Sequence, residues 1–471
     1  MNVVHVAAEC APFAKAGGLG DVAAALPVAL GALGHRTLTV LPLYRSAAAV
    51  LGREGLKTRP GPEASLPVGR GHRVRTHILE RPDGAHLFLE SDLYDRPGLY
   101  GYEDEAERFA VLSLAALEAA GQVLGAPVDI FHAHDWHAGL LPHYLRRYRR
   151  AHPTARSVFT IHNLGYQGTF GASAIRRLCL DERDHTLDGY EFHGGVSFMK
   201  AGITASDAIT TVSPRYAQEI LTPSHGFQLD GLLRHHRSRL HGIVNGLDVR
   251  VWDPASDALL ARNFDATSRP AGKADNRRAL FADLGVADEG GAMLLGVVSR
   301  LTAQKGLDLL ADLVPALHGL GVRVVLLGSG EPAIEERLRE LARVFSHNLT
   351  VRIGFDEGLA HRIVAASDAM AVPSRFEPCG LTQLQAMRYG ALPIVHATGG
   401  LADTVRHLLT GFVFEHPTAS GLRWALGLAS RCFHEQRASW DAMSDTAMAQ
   451  DLSWEASARE YAALYQSLLS A

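Results

Sequence analysis

The sequence predicts an α/β protein built from two doubly wound parallel sheets, and three observations predict it. Short β-branched runs alternate with helix-forming stretches along the chain, the pattern of parallel strands covered by helices on both faces. At 471 residues the chain exceeds one ordinary core, so roughly two to three domains are expected. The alternation lapses between about residue 245 and about residue 290, which divides it into two series.

The first run, Val3, Val4, Val6, Ala7 and Ala8, reads as a buried strand, and DVAAALPVALGALG carries good helix formers as far as Gly34. Strand-like runs follow at RTLTVLPLY (36–44), VDIFHAH (128–134), SVFTIH (157–162) and DAITTVS (207–213), with the amphipathic stretch EAERFAVLSLAALEAAGQVL among them. NGLDVRVWDPASDALLARNFDATSRPAGKADN is polar, holds Pro254 and Pro270, and breaks the periodicity; it reads as a linker with Asn245-Gly246 near the hinge. The second series comprises MLLGVVS, RVVLLGS, VRIGF, AMAVPS and PIVHAT, with the helical stretch GLDLLADLVPALHGLG. The end, LSWEASAREYAALYQSLL, reads as an amphipathic helix with Trp454, Tyr461, Leu464 and Leu468 on one side. The expected division is therefore 1–245, 246–450, and a terminal helix 451–471 that crosses back onto the first domain.

Composition excludes several classes. Lys and Arg number 46 against 50 Asp and Glu, a net charge of −4, so there is no basic footprint for nucleic acid or an anionic membrane. Cys10, Cys179, Cys379 and Cys432 are scattered without a C-x-x-C, which argues against a disulfide framework or zinc ribbon and fits a reducing cytoplasm. No apolar run approaches the ~20 residues that span a bilayer, and the amino terminus lacks the features of a signal peptide. A soluble cytoplasmic protein is expected.

Candidate chemistry lies where strands end. Glu9, Lys15, Gly17, Gly18, Gly20 and Asp21 fall between a strand's carboxyl end and a helix's amino end, where glycines admit a ligand to the backbone and unpaired amides favour an anion. The spacing matches neither G-x-G-x-x-G nor the P-loop. After VDIF come His132, His134, Asp135, Trp136 and His137; the register is wrong for the dinuclear hydrolase pattern, and a sugar reading uses Asp135 as hydroxyl acceptor and Trp136 as a flat face for a pyranose. His162, Asn163, Tyr166 and Gln167 follow the next strand and are expected to face a ligand. In the second series Arg300 and Lys305 are suited to a diphosphate without a metal. Glu377 suits sugar hydroxyls, and Gly380-Leu381-Thr382 and Thr398-Gly399-Gly400, each opening a helix, suggest a second anion cradle. No D-x-D stands at the end of a strand. A nucleotide-sugar transferase uses all of these pieces.

The motifs Lys15-Ala-Gly-Gly-Leu-Gly-Asp-Val, His134-Asp-Trp-His-Ala-Gly, His162-Asn-Leu-Gly-Tyr-Gln-Gly, Ser299-Arg-Leu-Thr-Ala-Gln-Lys-Gly and Ser374-Arg-Phe-Glu-Pro-Cys-Gly-Leu-Thr-Gln resemble bacterial glycogen synthases, the family shared with plant starch synthases. The resemblance runs from residue 1 to the helix that begins at Ser453-Trp454. It implies a GT-B fold, two Rossmann-like domains facing a deep interdomain cleft. It also implies metal-independent, cofactor-free extension of α-1,4-glucan at its non-reducing end from ADP-glucose, with retention of configuration. Carried over by motif, Lys15, Gly17 and Gly18 would meet the donor phosphates, with Asp21 near the nucleoside. Arg300 and Lys305 would hold the diphosphate; Glu377, Cys379 and Gly380, with Leu381 and Thr382 opening the next helix, would serve the donor sugar and phosphate. His162 would lie by the reacting sugar, Glu9, Asp135, Trp136, Asn163 and Tyr166 on the acceptor side, and Phe355 near the adenine. The catalytic set implied is Lys15, His162, Arg300, Lys305 and Glu377, with no metal ligand.

The chain departs from the family pattern in several places. The loop after Gly98 and the connection from Thr404-Val405 to Gly411-Phe412 are shorter, Asp104-Glu105-Ala106 replaces an asparagine-containing lead, and Ala16 stands where threonine is frequent. Gln385 occupies the position where many related transferases place a second glutamate. Three competing readings remain at this point: a UDP-glucose donor, a metal-dependent hydrolase built on His132, His134 and His137, and a glucan-binding protein without catalysis. The last has no need of Lys15, Arg300, Lys305 and Glu377 together.

Overall fold

The computed structural model describes residues 1–288 and 290–470. The chain forms two compact units, one of Met1–Gly246 with the terminal helix Trp454–Ser470, the other of Leu247–Ser453.

In the first unit the buried strand Asn2–Val6 pairs in parallel with Arg36–Pro42 on one side and Ile130–His134 on the other. The sheet continues through Arg156–Ile161, Ala208–Thr211 and Leu240–Gly242 on the second side, all parallel. On the first side Gly84–Glu90 is parallel to its neighbour, and the antiparallel strand His72–Arg81 follows. Chain progression therefore runs outward in both directions from Asn2–Val6, and the switch point lies between it and Ile130–His134. Ligands of open α/β sheets bind at the carboxyl ends flanking that point. The helices Gly18–Ala32 and Glu105–Leu124 cover the sheet, the latter closed by Gly125 in the left-handed conformation. The terminal helix buries Trp454, Tyr461 and Tyr465 against Val3, Val22, Leu26 and Ile130, with Leu464 and Leu468 half-buried beside them.

The second unit holds a six-stranded sheet in the order Leu349–Ile353, Val322–Gly328, Met293–Val298, Ala369–Val372, Leu392–His396, Phe412–Phe414, every pair parallel. Numbered from Met293–Val298, that is the 3-2-1-4-5-6 order of dinucleotide-binding domains. Its switch point lies between Met293–Val298 and Ala369–Val372, so Arg300 and Glu377 both follow strands that flank it.

Two expectations are corrected. The segment read as a linker is folded into the second unit: Leu247 and Phe264 are buried in its core, Trp252 stacks on His361 at 3.7 Å, and Arg269 opens a helix, Arg269–Leu284. GLDLLADLVPALHGLG is one α-helix only over Leu307–Leu313; Pro315 then imposes 3-10 turns, because proline supplies no amide to continue the ladder.

Candidate active site

Glu9 follows the first strand and is buried at 4% exposure. Its Oε2 accepts the amides of Ala16 at 2.7 Å and Gly17 at 2.9 Å, and its Oε1 accepts the Tyr100 hydroxyl at 2.7 Å. Burial, and then the Glu9 charge, push the Tyr100 phenol well above its ordinary range, so it remains a donor. The carboxylate thus shapes the glycine loop from inside. This corrects two expectations: the Gly17 amide is engaged by Glu9, not left for a phosphate, and Glu9 serves its own loop. Gly18 starts the helix Gly18–Ala32, where first-turn amides have no intrahelical acceptor. Lys15 and Asp21 pair at 2.7 Å, both part-exposed, so Asp21 orients the lysine across the glycine turn.

Asp135, after Ile130–His134, has φ 59° and ψ 179°, outside the left-handed helical well and in a region that side chains other than glycine rarely adopt, so the backbone here is strained. Its Oδ1 accepts the Trp136 amide at 2.8 Å, and the Asn163 amide also donates to the carboxylate. At 6% exposure, burial raises its pKa to about 8 despite those bonds. Trp136 is 8% exposed, stacked on His137 at 4.0 Å and edge-on to Phe109 at 5.1 Å. A Cβ on Gly168 would stand 2.1 Å from its Cε3. The indole is core, not the pyranose platform the sequence suggested.

His162 is half-buried at the carboxyl end of Arg156–Ile161; its Nε2 lies 3.0 Å from His134 Nδ1, and burial lowers its pKa to about 3. It is neutral at pH 7. Asn163 Oδ1 accepts the Gly165 amide at 3.0 Å, and Tyr166 is exposed. The hydrolase constellation does not converge. His137 faces Tyr100 and Trp136, whereas His132 bonds Tyr465 and Thr160 through its two nitrogens.

In the second unit Lys305 closes the turn Ala303–Lys305 ahead of Gly306, whose φ of 66° and contact with the Pro373 carbonyl leave no room for a Cβ. Its Nζ lies 2.5 Å from Glu377 Oε2, and the Ser374 hydroxyl donates to the same oxygen at 2.8 Å. Both charges are largely buried. Arg375 forks onto Asp308 at 2.6 and 2.7 Å and donates to the Ala303 carbonyl, fixing the two loops to each other. Arg300 is exposed.

Cys379 is buried and Gly380 adopts φ 77°, with Gln383 Nε2 donating to both their carbonyls. Leu381 precedes the helix Thr382–Arg388. The expected second cradle at Thr398-Gly399-Gly400 is otherwise occupied. The Gly400 amide donates to the Glu377 and Pro378 carbonyls, and Cβ atoms on Gly399 and Gly400 would stand 1.8 Å from Glu377 O and 2.2 Å from Cys379 O. These glycines exist for close backbone packing that holds Glu377. Phe355 is 85% exposed, two residues beyond Leu349–Ile353. Sequence reasoning assigned no role to Tyr100, Ser374 or Arg375, which have partners only through the fold.

Residues 2–235 match the family model of the starch synthase catalytic domain, and residues 286–441 that of glycosyl transferases group 1. The chain is 46% identical over 486 residues to a glycogen synthase of Anaeromyxobacter dehalogenans (strain 2CP-C), spanning 99% of this chain and 100% of that protein. It is 44% identical over 487 residues to a glycogen synthase of Myxococcus xanthus, spanning 100% of each. Among solved structures, the catalytic domain of starch synthase IV from Arabidopsis thaliana, bound to ADP and acarbose, superposes with a TM-score of 0.90 at 34% identity, over 100% of this chain and 99% of that one. A sucrose-phosphate synthase from Thermosynechococcus elongatus, at TM-score 0.60 and 17% identity over 100% and 99%, shares the fold. The architecture is of the GT-B type, two Rossmann-like domains.

Proposed function

The chain belongs to the glycogen and starch synthase family of glucosyltransferases, and from that premise we propose how its residues divide the work. The protein transfers glucosyl units from ADP-glucose to an α-1,4-glucan and releases ADP. The observation that carries the division is the ammonium–carboxylate pair of Lys305 and Glu377 at the switch point of the second sheet.

Glu377 is held by Ser374 and by the packing of Gly399 and Gly400 on its backbone, so it presents a fixed carboxylate to the glucosyl hydroxyls. Lys305 turns from that carboxylate to the diphosphate, and Arg300 meets the same group with its planar fork. Together they offset the charge that grows on departing ADP, and no divalent ion takes part. Leu381 and Thr382 direct first-turn amides at the phosphates, and Phe355 offers its exposed ring to the adenine. In the first unit Lys15 and the Gly18 amide suit a phosphate in their own right, His162 suits a sugar as a neutral imidazole, and Asp135, Asn163 and Tyr166 serve the acceptor. With Gln385 in place of a second carboxylate, retention follows from attack on the face that ADP leaves, a donor phosphate oxygen taking the acceptor's proton. Free cysteines fit a cytoplasmic setting.

The test is steady-state transfer by Lys305→Ala and Glu377→Gln. Loss of a group that acts on leaving-group charge lowers kcat about 100-fold or more in Lys305→Ala, with Lys305→Arg partly restoring it. Lys305→Ala within about threefold of the parent would overturn the assignment.

A further inference from the structure

His162 is the end of a buried chain of imidazoles. Its Nε2 lies 3.0 Å from Nδ1 of His134, whose Nε2 lies 3.1 Å from Nδ1 of His5. His5 and His134 are wholly enclosed, and burial holds all three rings far below the ordinary histidine range, so each is neutral. A neutral imidazole has one N–H and one acceptor nitrogen, and each link needs one proton.

Because both links join an Nε2 to an Nδ1, the three choices are a single choice. If His5 donates from Nδ1, His134 must carry its proton on Nδ1 and donate to His162, which must then carry its own on Nδ1. The reverse order puts every proton on Nε2. Any mixed pattern sets two N–H groups or two lone pairs against each other inside a buried link, where neither is compensated. The far end, His5 Nε2, is buried with no hydrogen-bond partner among the described residues, so the chain ends there; a proton on it would be an orphaned buried N–H, which selects the order with every proton on Nδ1.

We propose that His5 and His134 are positioning residues that lock His162 into one tautomer, so that its Nδ1 presents a single unchanging hydrogen-bonding role to the sugar. The inference rests on the assignment of His162 to the reacting sugar. His132 stands outside the chain although its ring is 4.1 Å from that of His134, because Tyr465 and Thr160 take both its nitrogens. Nitrogens of His5, His132 and His134 also lie within 4.8 Å of one another, the spacing of a metal trio. An ion there would have to break the bonds just described, which makes zinc the discriminating probe.

The experiment is nitrogen-15 NMR of the full-length protein labelled at histidine, with signals assigned by single substitutions. The expected result is one shared tautomer for His5, His134 and His162, unchanged by added zinc. His5→Phe keeps a ring in place and frees the chain, so His162 moves to averaged tautomers and kcat falls about tenfold while KM for ADP-glucose stays within about twofold. Different tautomers in the wild-type protein, a zinc-dependent shift of the three signals, or an unaltered His162 signature in His5→Phe overturns the proposal. If His5→Phe does not fold, the wild-type spectra decide alone. Full activity in His162→Ala beside a shared wild-type tautomer would sink the sugar assignment of His162 and, with it, the catalytic purpose of the lock.

Discussion

Asp135→Asn should make the protein more stable at pH 8 than at pH 5 relative to the wild type. In the folded chain burial lifts this carboxyl from 3.8 to about 8, so the folded protein keeps a proton that the unfolded chain releases. Unfolded chains therefore bind fewer protons between these values, and wild-type stability falls as pH rises from about 4 to about 8. The slope is ~1.4 kcal/mol per pH unit, and the gap from 3.8 to about 8 amounts to about 6 kcal/mol at its full extent. Asparagine has no proton to lose and matches aspartate in shape, so the backbone strain at this position is common to both proteins. Its single oxygen still accepts the Trp136 amide, but the Asn163 amide loses a partner, for about 1 kcal/mol. The variant should be near wild type at pH 5 and several kcal/mol more stable at pH 8. Urea unfolding followed by circular dichroism at pH 5, 6, 7 and 8 reads the difference between the two proteins, in which all other titrating groups cancel. A difference that stays flat across that range would refute a buried, proton-holding Asp135.

Two further substitutions probe the first unit. Glu9→Ala strips the acceptors of the Ala16 and Gly17 amides and the Tyr100 hydroxyl; a loss of about 3 kcal/mol in unfolding free energy is expected, together with a higher KM for ADP-glucose in steady-state assays. Gly168→Ala forces a Cβ to within 2.1 Å of the Trp136 ring at a φ of 56°, which should destabilise by ~2 kcal/mol or more in thermal melts, whereas half-buried Gly17, whose Cβ would meet no described atom within 4 Å, should accept alanine with little change.

The sheets were legible because buried parallel strands are continuous apolar runs, and period-2 and period-3.6 patterns are local. What the sequence hid was long-range. Residues 245–276 look like a linker because they are polar, hold Pro254 and Pro270 and break the periodicity, yet Arg269 is buried against Asp441 and Asp445, and Lys273 donates to the Ala365 and Tyr389 carbonyls. Trp136 passes for a sugar platform until Phe109 and Gly168, distant in sequence, close over it. A strand's carboxyl end located Glu9, Lys305 and Glu377, but not that Glu9 would take the Gly17 amide or that Lys305 would rest on Glu377. One signal was available and unused: His132 and His134 share a strand face by the period of two, and His5 lies opposite His132 in register.

The most direct measurement is transfer of labelled glucose to glycogen from ADP-glucose and from UDP-glucose, with EDTA present throughout and Glu377→Ala and Lys305→Ala alongside. Transfer should prefer ADP-glucose, be indifferent to EDTA, and fail in both variants. Equal use of UDP-glucose, loss of activity with EDTA, or undiminished transfer by the variants would contradict the proposed function.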